Sequence, residues 1–309
     1  MILISGEALI DLIPDPQTDQ RYDAVLGGSP FNVAIGLGRL GAPVGFISRL
    51  SKDPNGEALA GALAADGVDL GLVERTAQPS TLAFVMRGTA QTGSRYSFYI
   101  DSTAYDVAWP FPTQWPAAAR HLHIGSFAAV DPRHADRVSA ALRAAVGHAT
   151  VSFDPNIRPM VTPEREPVLA AVEERVKLSS LVKASEEDLE WLYPGRPVEE
   201  TLRDWARLGP KFTIATLGGE GAISYLGDER LEVAARRIEV VDTVGAGDSF
   251  MSGLLYAMDR DGALGAAAGA PSREKLAQWL AFAAKTSAIT CTRKGSQPPT
   301  LAEVVDTAD

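Results

Sequence analysis

"DTVGAGDSFMSGLLYAM", residues 242–258, decides how the rest of the chain is read, because a glycine-rich turn, a lone carboxylate and an apolar helical pattern follow one another within it. Phe250, Met251, Leu254, Leu255 and Met258 recur at three- and four-residue intervals, the spacing of one buried helix face. A helix is therefore expected to begin near Gly245. Its first backbone N–H groups have no intrahelical acceptors, and with the helix dipole they favour negative charge. Gly245 and Gly247 leave those groups sterically open. A carboxylate cannot itself bind an anion, so the useful chemistry for Asp248 is to accept a proton from a nucleophile that attacks the anion. Phosphoryl transfer needs this arrangement: a base that orients a hydroxyl, and fixed donors for the phosphoryl oxygens. The plain alternative is an acidic residue favoured in a first helical turn.

Upstream of that helix, apolar runs alternate with helical patterns. "VGFISRL" (44–50) reads as a strand and "GEALAGALAADG" (56–67) as a helix closed by Gly67. Strand "HLHIGS" (121–126), helix "RHADRVSAALRAAVG" (133–147), strand "TVSFDPN" (150–156) and a helix over 163–177 follow. Strand "LVKAS" (181–185), another helical stretch and strand "KFTIATLG" (211–218) complete the series. Strands apolar on both faces, each followed by a helix, indicate an α/β fold: a doubly wound, mostly parallel sheet with helices on both faces, spanning 1–309 as one domain. "TLAFVMRG" (81–88) and "RYSFYI" (95–100), joined by "TAQTGS", break the rhythm and suggest a hairpin. Residues of about 13–26 and 81–104 are assigned to a small β lid inserted in the α/β body. "DGALGAAAGAPS" (261–272) reads as a surface loop between helices.

With 309 residues, 46% of them hydrophobic and 22% charged, the chain has the composition of an ordinary globular protein able to bury a sizeable core. A formal charge of −10 argues against nucleic acid or an anionic membrane as partner. The single cysteine, Cys291, permits no intrachain disulfide, which suits a reducing cytoplasm. "ILISGEALIDLIP" (2–14) is too short to span a bilayer and has no basic leader, so it is read as a first strand.

A second chemical motif is "GGSPFNVAIGLGRLG" (27–41). Paired glycines let backbone approach a ligand, and Asn32 can both donate to and accept from hydroxyls, which suits a polyol; a tight turn before an amphipathic helix is the alternative. The embedded "GLGRLG" matches a dinucleotide pattern. Its glycines, however, fall at the end of a helix, with Gly41 just past it and Pro43 beyond, where a nicotinamide fingerprint would have to open one. "TLGGEGA" (216–222) offers open backbone to nucleotide phosphates or a plain hairpin turn. "DPNIRP" places Asp154, Asn156 and Arg158 at the C-terminal end of a strand, where open α/β sheets bind ligands. His121 and His123 share one strand face without a supporting Cys or carboxylate cluster, so packing is preferred to metal binding. P-loop, serine-hydrolase and zincin signatures are absent from the sequence.

"GGSPFN" near the N-terminus and "DTVGAGDSF" near the C-terminus resemble the two signatures of the ribokinase-like (PfkB) carbohydrate kinases, over essentially the whole chain. "GEALIDLIP", "FISRLSKDPNGEALAGAL" and "DPNIRP" look most like bacterial fructokinases. The resemblance implies ATP as donor, Asp248 as catalytic base, and Gly245, Ala246 and Gly247 as the anion hole. It places Asp11, Gly28 and Asn32, with Gly27 beside them, on sugar hydroxyls, and Arg158 facing the phosphate or the substrate, while Tyr96, Phe98 and Tyr99 on the lid are expected to cover the sugar. Thr216, Gly218 and Gly221 match the nucleotide-binding strand and turn. Asp242 and the backbone around Val244, Thr290, Arg293 and Gly295 resemble an activating K⁺ site, with "TRKGSQP" as its second loop. The family's N-x-x-E motif, linked to Mg²⁺, appears as "SEED", with Ser185 and Asp188 at the motif positions. In the family the lid closes over the sugar and often supplies a homodimer contact. A 2-keto-3-deoxygluconate kinase or another ribokinase-like sugar or nucleoside kinase is the alternative within the family. Outside the class stand an NAD-dependent dehydrogenase and a non-catalytic sugar-binding protein.

Overall fold

Ile2 and Ile4 of the first strand belong to one apolar core and Leu3 to another, so the chain's opening residues already sit in a sheet buried on both faces. The computed structural model describes residues 1–307 apart from 16, 19, 87–94, 107–110 and 113. The N-terminal half runs β1 (Ile2–Ser5), β2 (Leu9–Pro14), β3 (Tyr22–Gly27), α1 (Ser29–Arg39), β4 (Val44–Ser51), α2 (Pro54–Ala65), β5 (Val73–Thr76), β6 (Leu82–Met86) and β7 (Arg95–Tyr99). Then come β8 (His121–Gly125), α3 (Ser126–Val130), α4 (Ala135–Ala145), β9 (Thr150–Asp154), α5 (Arg165–Lys177), β10 (Leu181–Ser185), α6 (Glu186–Leu192) and α7 (Val198–Leu208). The chain closes with β11 (Phe212–Thr216), β12 (Ala222–Leu226), β13 (Glu229–Val233), α8 (Ala246–Arg260), α9 (Arg273–Cys291) and α10 (Leu301–Asp306).

The main sheet has nine strands in the order β13-β12-β11-β10-β9-β8-β1-β4-β5. Every neighbouring pair from β5 to β11 is parallel, and β12 and β13 continue it as an antiparallel edge. Residues of α1, α2, α8 and α9 fill one core and residues of α3, α4, α5 and α7 the other, as a doubly wound sheet requires. The expected α/β architecture is therefore present, with its alternating order of strands and helices.

Two expectations need correction. "ILISGEALIDLIP" is two strands in two sheets, β1 in the main sheet and β2 in the lid. The chain turns out at Gly6, whose φ of +153° suits glycine and where a Cβ would overlap Pro30. The lid accordingly begins at Leu9 and so carries Asp11; its four strands run β3-β2-β6-β7, with β6 and β7 antiparallel as the hairpin reading required. Its connecting "TAQTGS" lies outside the described residues.

The helix read from residues 242–258 is α8, beginning at Ala246 behind Gly245, and Phe250, Met251, Leu254, Leu255 and Met258 are all buried. Burying each such side chain contributes about 1.5–3 kcal/mol, which fixes the helix on the sheet. A polar seam fixes its start: Ser249 donates to the Thr286 carbonyl (3.1 Å), Thr286 to the Ser249 carbonyl (3.0 Å) and Ser287 to the Ala246 carbonyl (2.9 Å). The first turn of α8 is thereby tied to α9 by hydroxyls that find their acceptors across the two helices.

Candidate active site

A cavity of about 710 Å³ opens between the C-terminal ends of the parallel strands and the inner face of the lid. Strand alternation sets what the lid contributes. Asp11 is level with Ala83 across the sheet, and Ala83 with Phe98, so these side chains and Tyr96 share a face. Asp11, Tyr96 and Phe98 all line the cavity, Tyr96 and Phe98 stacked with ring centroids 5.9 Å apart.

Asp248 is buried on the opposite wall, in the first turn of α8. Ser29 donates to its Oδ1 (2.6 Å) and Asn32 to its Oδ2 (2.8 Å), so the two glycine-containing motifs meet at one carboxylate. Burial raises the Asp248 pKa above its ordinary value, while the Ser29 and Asn32 hydrogen bonds and the charges of Lys183 and Arg158 oppose the rise. Gly245 caps the helix in the left-handed region at φ 76°, and a Cβ there would collide with Ser296. The Ala246 N–H closes a turn onto the Thr243 carbonyl (3.2 Å). The residues expected to form an anion hole, Gly245, Ala246 and Gly247, all line the cavity at this turn, and the N–H groups of Gly247 and Asp248 at the helix start have no intrahelical acceptors.

Lys183, which the sequence reading passed over, stands beside that turn. Its ammonium would lie 3.0 Å from a Cβ on Gly247 and pairs with Asp154 at 2.7 Å. Burial works against its charge, but the carboxylates of Asp154, Asp188 and Asp248 outweigh it and hold the ammonium above its usual pKa. Burial pushes Asp154 up to about 6 against the pull of Lys183, which donates to it. A fixed positive charge therefore adjoins the helix N-terminus.

Gly28, Asn156 and Arg158 also line the cavity, and Gly27 packs against Asp11. Burial pushes Asp11 up to about 6 despite Arg158 nearby. The Arg158 guanidinium donates to the carbonyls of Asn156 (3.3 Å) and Ile157 (3.0 Å), folding it back on its own loop. Thr216, Gly218 and Gly221 line the far end, where "TLGGEGA" is both the β11–β12 hairpin turn and cavity wall. Val240, Val244, Ala284, Ala288 and Cys291 add an apolar strip suited to a flat ring system.

Ser185 caps α6 and shares a capping box with Asp188. Asp188 accepts from the Ile157 N–H on one oxygen (2.7 Å) and the Ser185 N–H on the other (3.0 Å), so this acid holds two loops at the cavity edge. Glu187 beside it is exposed on the cavity wall. Asp242 joins the two loops expected around a monovalent cation, accepting from Val244 (3.0 Å) and Gly295 (2.9 Å). The side chains of Thr290 and Arg293 turn elsewhere, to Ser249 and to Glu303. His121 and His123 are both buried and share the Ser152 hydroxyl; no cluster of three metal-ligating side chains occurs among the described residues. "GLGRLG" ends α1, with Gly41 at φ 83° just beyond, so no strand feeds it as a dinucleotide fingerprint requires. No helix among the described residues is long and apolar enough to cross a membrane.

The sequence model of the pfkB family of carbohydrate kinases matches residues 1–303. A fructokinase of Rhizobium leguminosarum bv. trifolii is 34% identical over 267 residues, covering 85% of this chain and 81% of that protein. A fructokinase of Klebsiella pneumoniae is 31% identical over 300 residues, covering 96% and 94%. The crystal structure of fructokinase with bound ATP from Xylella fastidiosa superposes with a TM-score of 0.87 at 29% identity, covering 98% of this chain and 96% of that one. A double mutant of the Vibrio cholerae O395 fructokinase, with fructose, ADP and potassium ion bound, gives a TM-score of 0.82 at 27% identity over 98% and 96%.

Proposed function

We propose that this chain, which belongs to the pfkB family of carbohydrate kinases, is a fructokinase that transfers the γ-phosphoryl group of ATP to the C6 hydroxyl of D-fructose. One observation carries the chemistry: Asp248 is fixed by Ser29 and Asn32 at the N-terminal turn of a helix inside a cavity of about 710 Å³. The choice of fructose rests on the fructokinase relatives.

The parts divide the work. The sugar lies between Asp11 and Gly28 on one side and Tyr96 and Phe98 on the lid, with its primary hydroxyl directed at Asp248. Asp248 takes the hydroxyl proton as the oxygen attacks the γ-phosphorus and the bond to the β-phosphate oxygen breaks, leaving ADP. The N–H groups of Gly247 and Asp248 and the Lys183 ammonium stabilise charge on the transferred oxygens. The nucleotide extends along Thr216, Gly218 and Gly221. Mg²⁺, when bound, neutralises phosphate charge; Glu187 is the carboxylate available to its water shell, while Ser185 and Asp188 fix the adjacent loop. The Asp242 staple between the Val244 and Gly295 loops suits a K⁺ held by backbone carbonyls. Lid closure would exclude water as a competing acceptor.

The outer lid face carries Tyr22, Phe84 and Tyr99 in successive edge-on contacts, with Tyr22 and Tyr99 45% and 58% exposed. A second copy of this chain would cover it, giving a homodimer joined through the lids, and light scattering on Tyr99→Glu against wild type tests that. A cytoplasmic location accords with the single, partly buried Cys291. The activity itself is tested by ADP release over a panel of sugars with ATP. Release only with D-fructose and close ketoses supports the reading, and release with none of them at K⁺ and Mg²⁺ saturation overturns it in favour of a non-catalytic sugar-binding protein.

A further inference from the structure

Glu7 stands in the link between β1 and β2 and is 3% exposed, yet it lines the cavity with Asp11, Asn32, Ser126 and Asp248. Its Oε2 is buried and has no hydrogen-bond partner among the described residues. Buried polar atoms are ordinarily satisfied, and one left without a partner in a side chain that lines the cavity points to a partner brought by the molecule that fills the cavity. The neighbouring wall residue, Ser126, is held at φ 61°, a backbone conformation uncommon outside glycine. Burial pushes the Glu7 carboxyl up to about 7, with the Ser126 hydroxyl and the Arg158 charge opposing and Asp248 reinforcing the shift. A carboxyl so placed has no part in proton removal, which Asp248 performs.

We propose that Glu7 is a substrate-recognition residue whose Oε2 pairs with one non-reacting hydroxyl of the bound sugar. The proposal rests on the sugar-kinase reading and deepens it. An apolar residue would fill the same space without the desolvation cost of a carboxyl, and a residue needed only to position Ser126 would need only one oxygen. Glu7, Asp11 and Asp248 together give the cavity lining three carboxyl groups, which suits a neutral polyol.

The test measures kcat and KM for wild type, Glu7→Gln and Glu7→Ala with D-fructose and with its 1-deoxy, 3-deoxy and 4-deoxy analogues, at saturating ATP, with melting temperature and the KM for ATP recorded alongside. Glu7→Ala is expected to raise the KM for fructose at least about tenfold and to leave the KM for ATP within about twofold. On one deoxy analogue, wild type and variant should have the same kcat/KM, because the hydroxyl that Glu7 would hold is already gone. Glu7→Gln, which keeps a hydrogen-bonding oxygen, should recover part of the loss and carries the comparison if the alanine variant does not fold. Equal fold losses on fructose and on every analogue would overturn the proposal and leave Glu7 a structural residue. Absence of fructose turnover in wild type would overturn the functional reading along with it, an outcome distinct from turnover with uniform losses.

Discussion

The side-chain amide of Asn32, in the first turn of α1, donates to Asp248, in the first turn of α8, across 2.8 Å. The bond spans 216 positions of sequence, and Ser29 completes it from the same turn of α1 at 2.6 Å. Asn32, expected on the sugar, lines the cavity and at the same time fixes the Asp248 carboxylate. Both hydrogen bonds favour the carboxylate and so oppose the rise in pKa that burial imposes. Removing either should move the acid limb of kcat to higher pH, because the base then binds its proton more tightly. The pH dependence of kcat for Asn32→Ala and Ser29→Ala, against wild type, measures this; an unmoved or lowered limb would separate Asp248 from that limb.

Replacing Asp248 itself with asparagine removes the proton acceptor and keeps the shape. We expect kcat to fall by about two to four orders of magnitude, the usual contribution of a positioned base. The melting temperature should stay level or rise, since a carboxyl whose charge is disfavoured by burial has been neutralised. Steady-state kinetics with thermal unfolding on the same preparation checks both, and near-wild-type kcat would remove Asp248 from the mechanism.

Lys183 predicts a separation of activity from stability. Lys183→Met leaves Asp154 buried and unpaired, at a cost of about 3–5 kcal/mol, and also removes the cation beside Gly247. Adding Asp154→Leu should restore most of the stability without restoring kcat. If the double variant regains both, the pair serves folding alone.

What the sequence made legible follows from how local each signal is. The α8 helix, its glycine turn and Asp248 lie within 17 residues and could be read from spacing alone. Lys183 could not, because it faces Asp154 only through the register of two parallel strands, in which Leu181 pairs with Ser152 and Val182 with Phe153. Ser29 and Glu7 were hidden for the same reason, since their roles arise from contacts over long sequence distances. The continuous apolar run 2–14 concealed a change of sheet that only the meeting of Gly6 with Pro30 reveals.

Glu7 also gives a signature in stability. Its carboxyl titrates near 7 in the folded protein against an ordinary value of 4.5, so between those values the folded chain keeps a proton that the unfolded chain has lost. The stabilisation is complete below about pH 4.5 and is lost as pH rises through about 7. Glu7→Gln abolishes that loss, so its unfolding free energy minus that of wild type should grow by up to about 3 kcal/mol from pH 4.5 to pH 8. Urea denaturation across that range measures the difference, and a flat difference would mean that Glu7 titrates normally.

The last prediction concerns the charge of the substrate. Glu7, Asp11 and Asp248 line the cavity as carboxyls, whereas Arg158, the cation whose charge acts on all three, is turned back onto the carbonyls of Asn156 and Ile157. An anionic sugar such as 2-keto-3-deoxygluconate would bring its carboxylate toward those acids in a partly buried site, where repulsion is screened far less than in water. We therefore expect kcat/KM for D-fructose to exceed that for 2-keto-3-deoxygluconate by at least about tenfold, and Asp11→Asn to narrow the ratio by relieving repulsion while weakening the hold on fructose hydroxyls. Both rates come from one coupled ADP-release assay at pH 7.5. A higher kcat/KM for the anionic sugar would reverse the substrate assignment and require Arg158 to swing off its own loop, leaving the roles of Asp248 and the α8 turn unchanged.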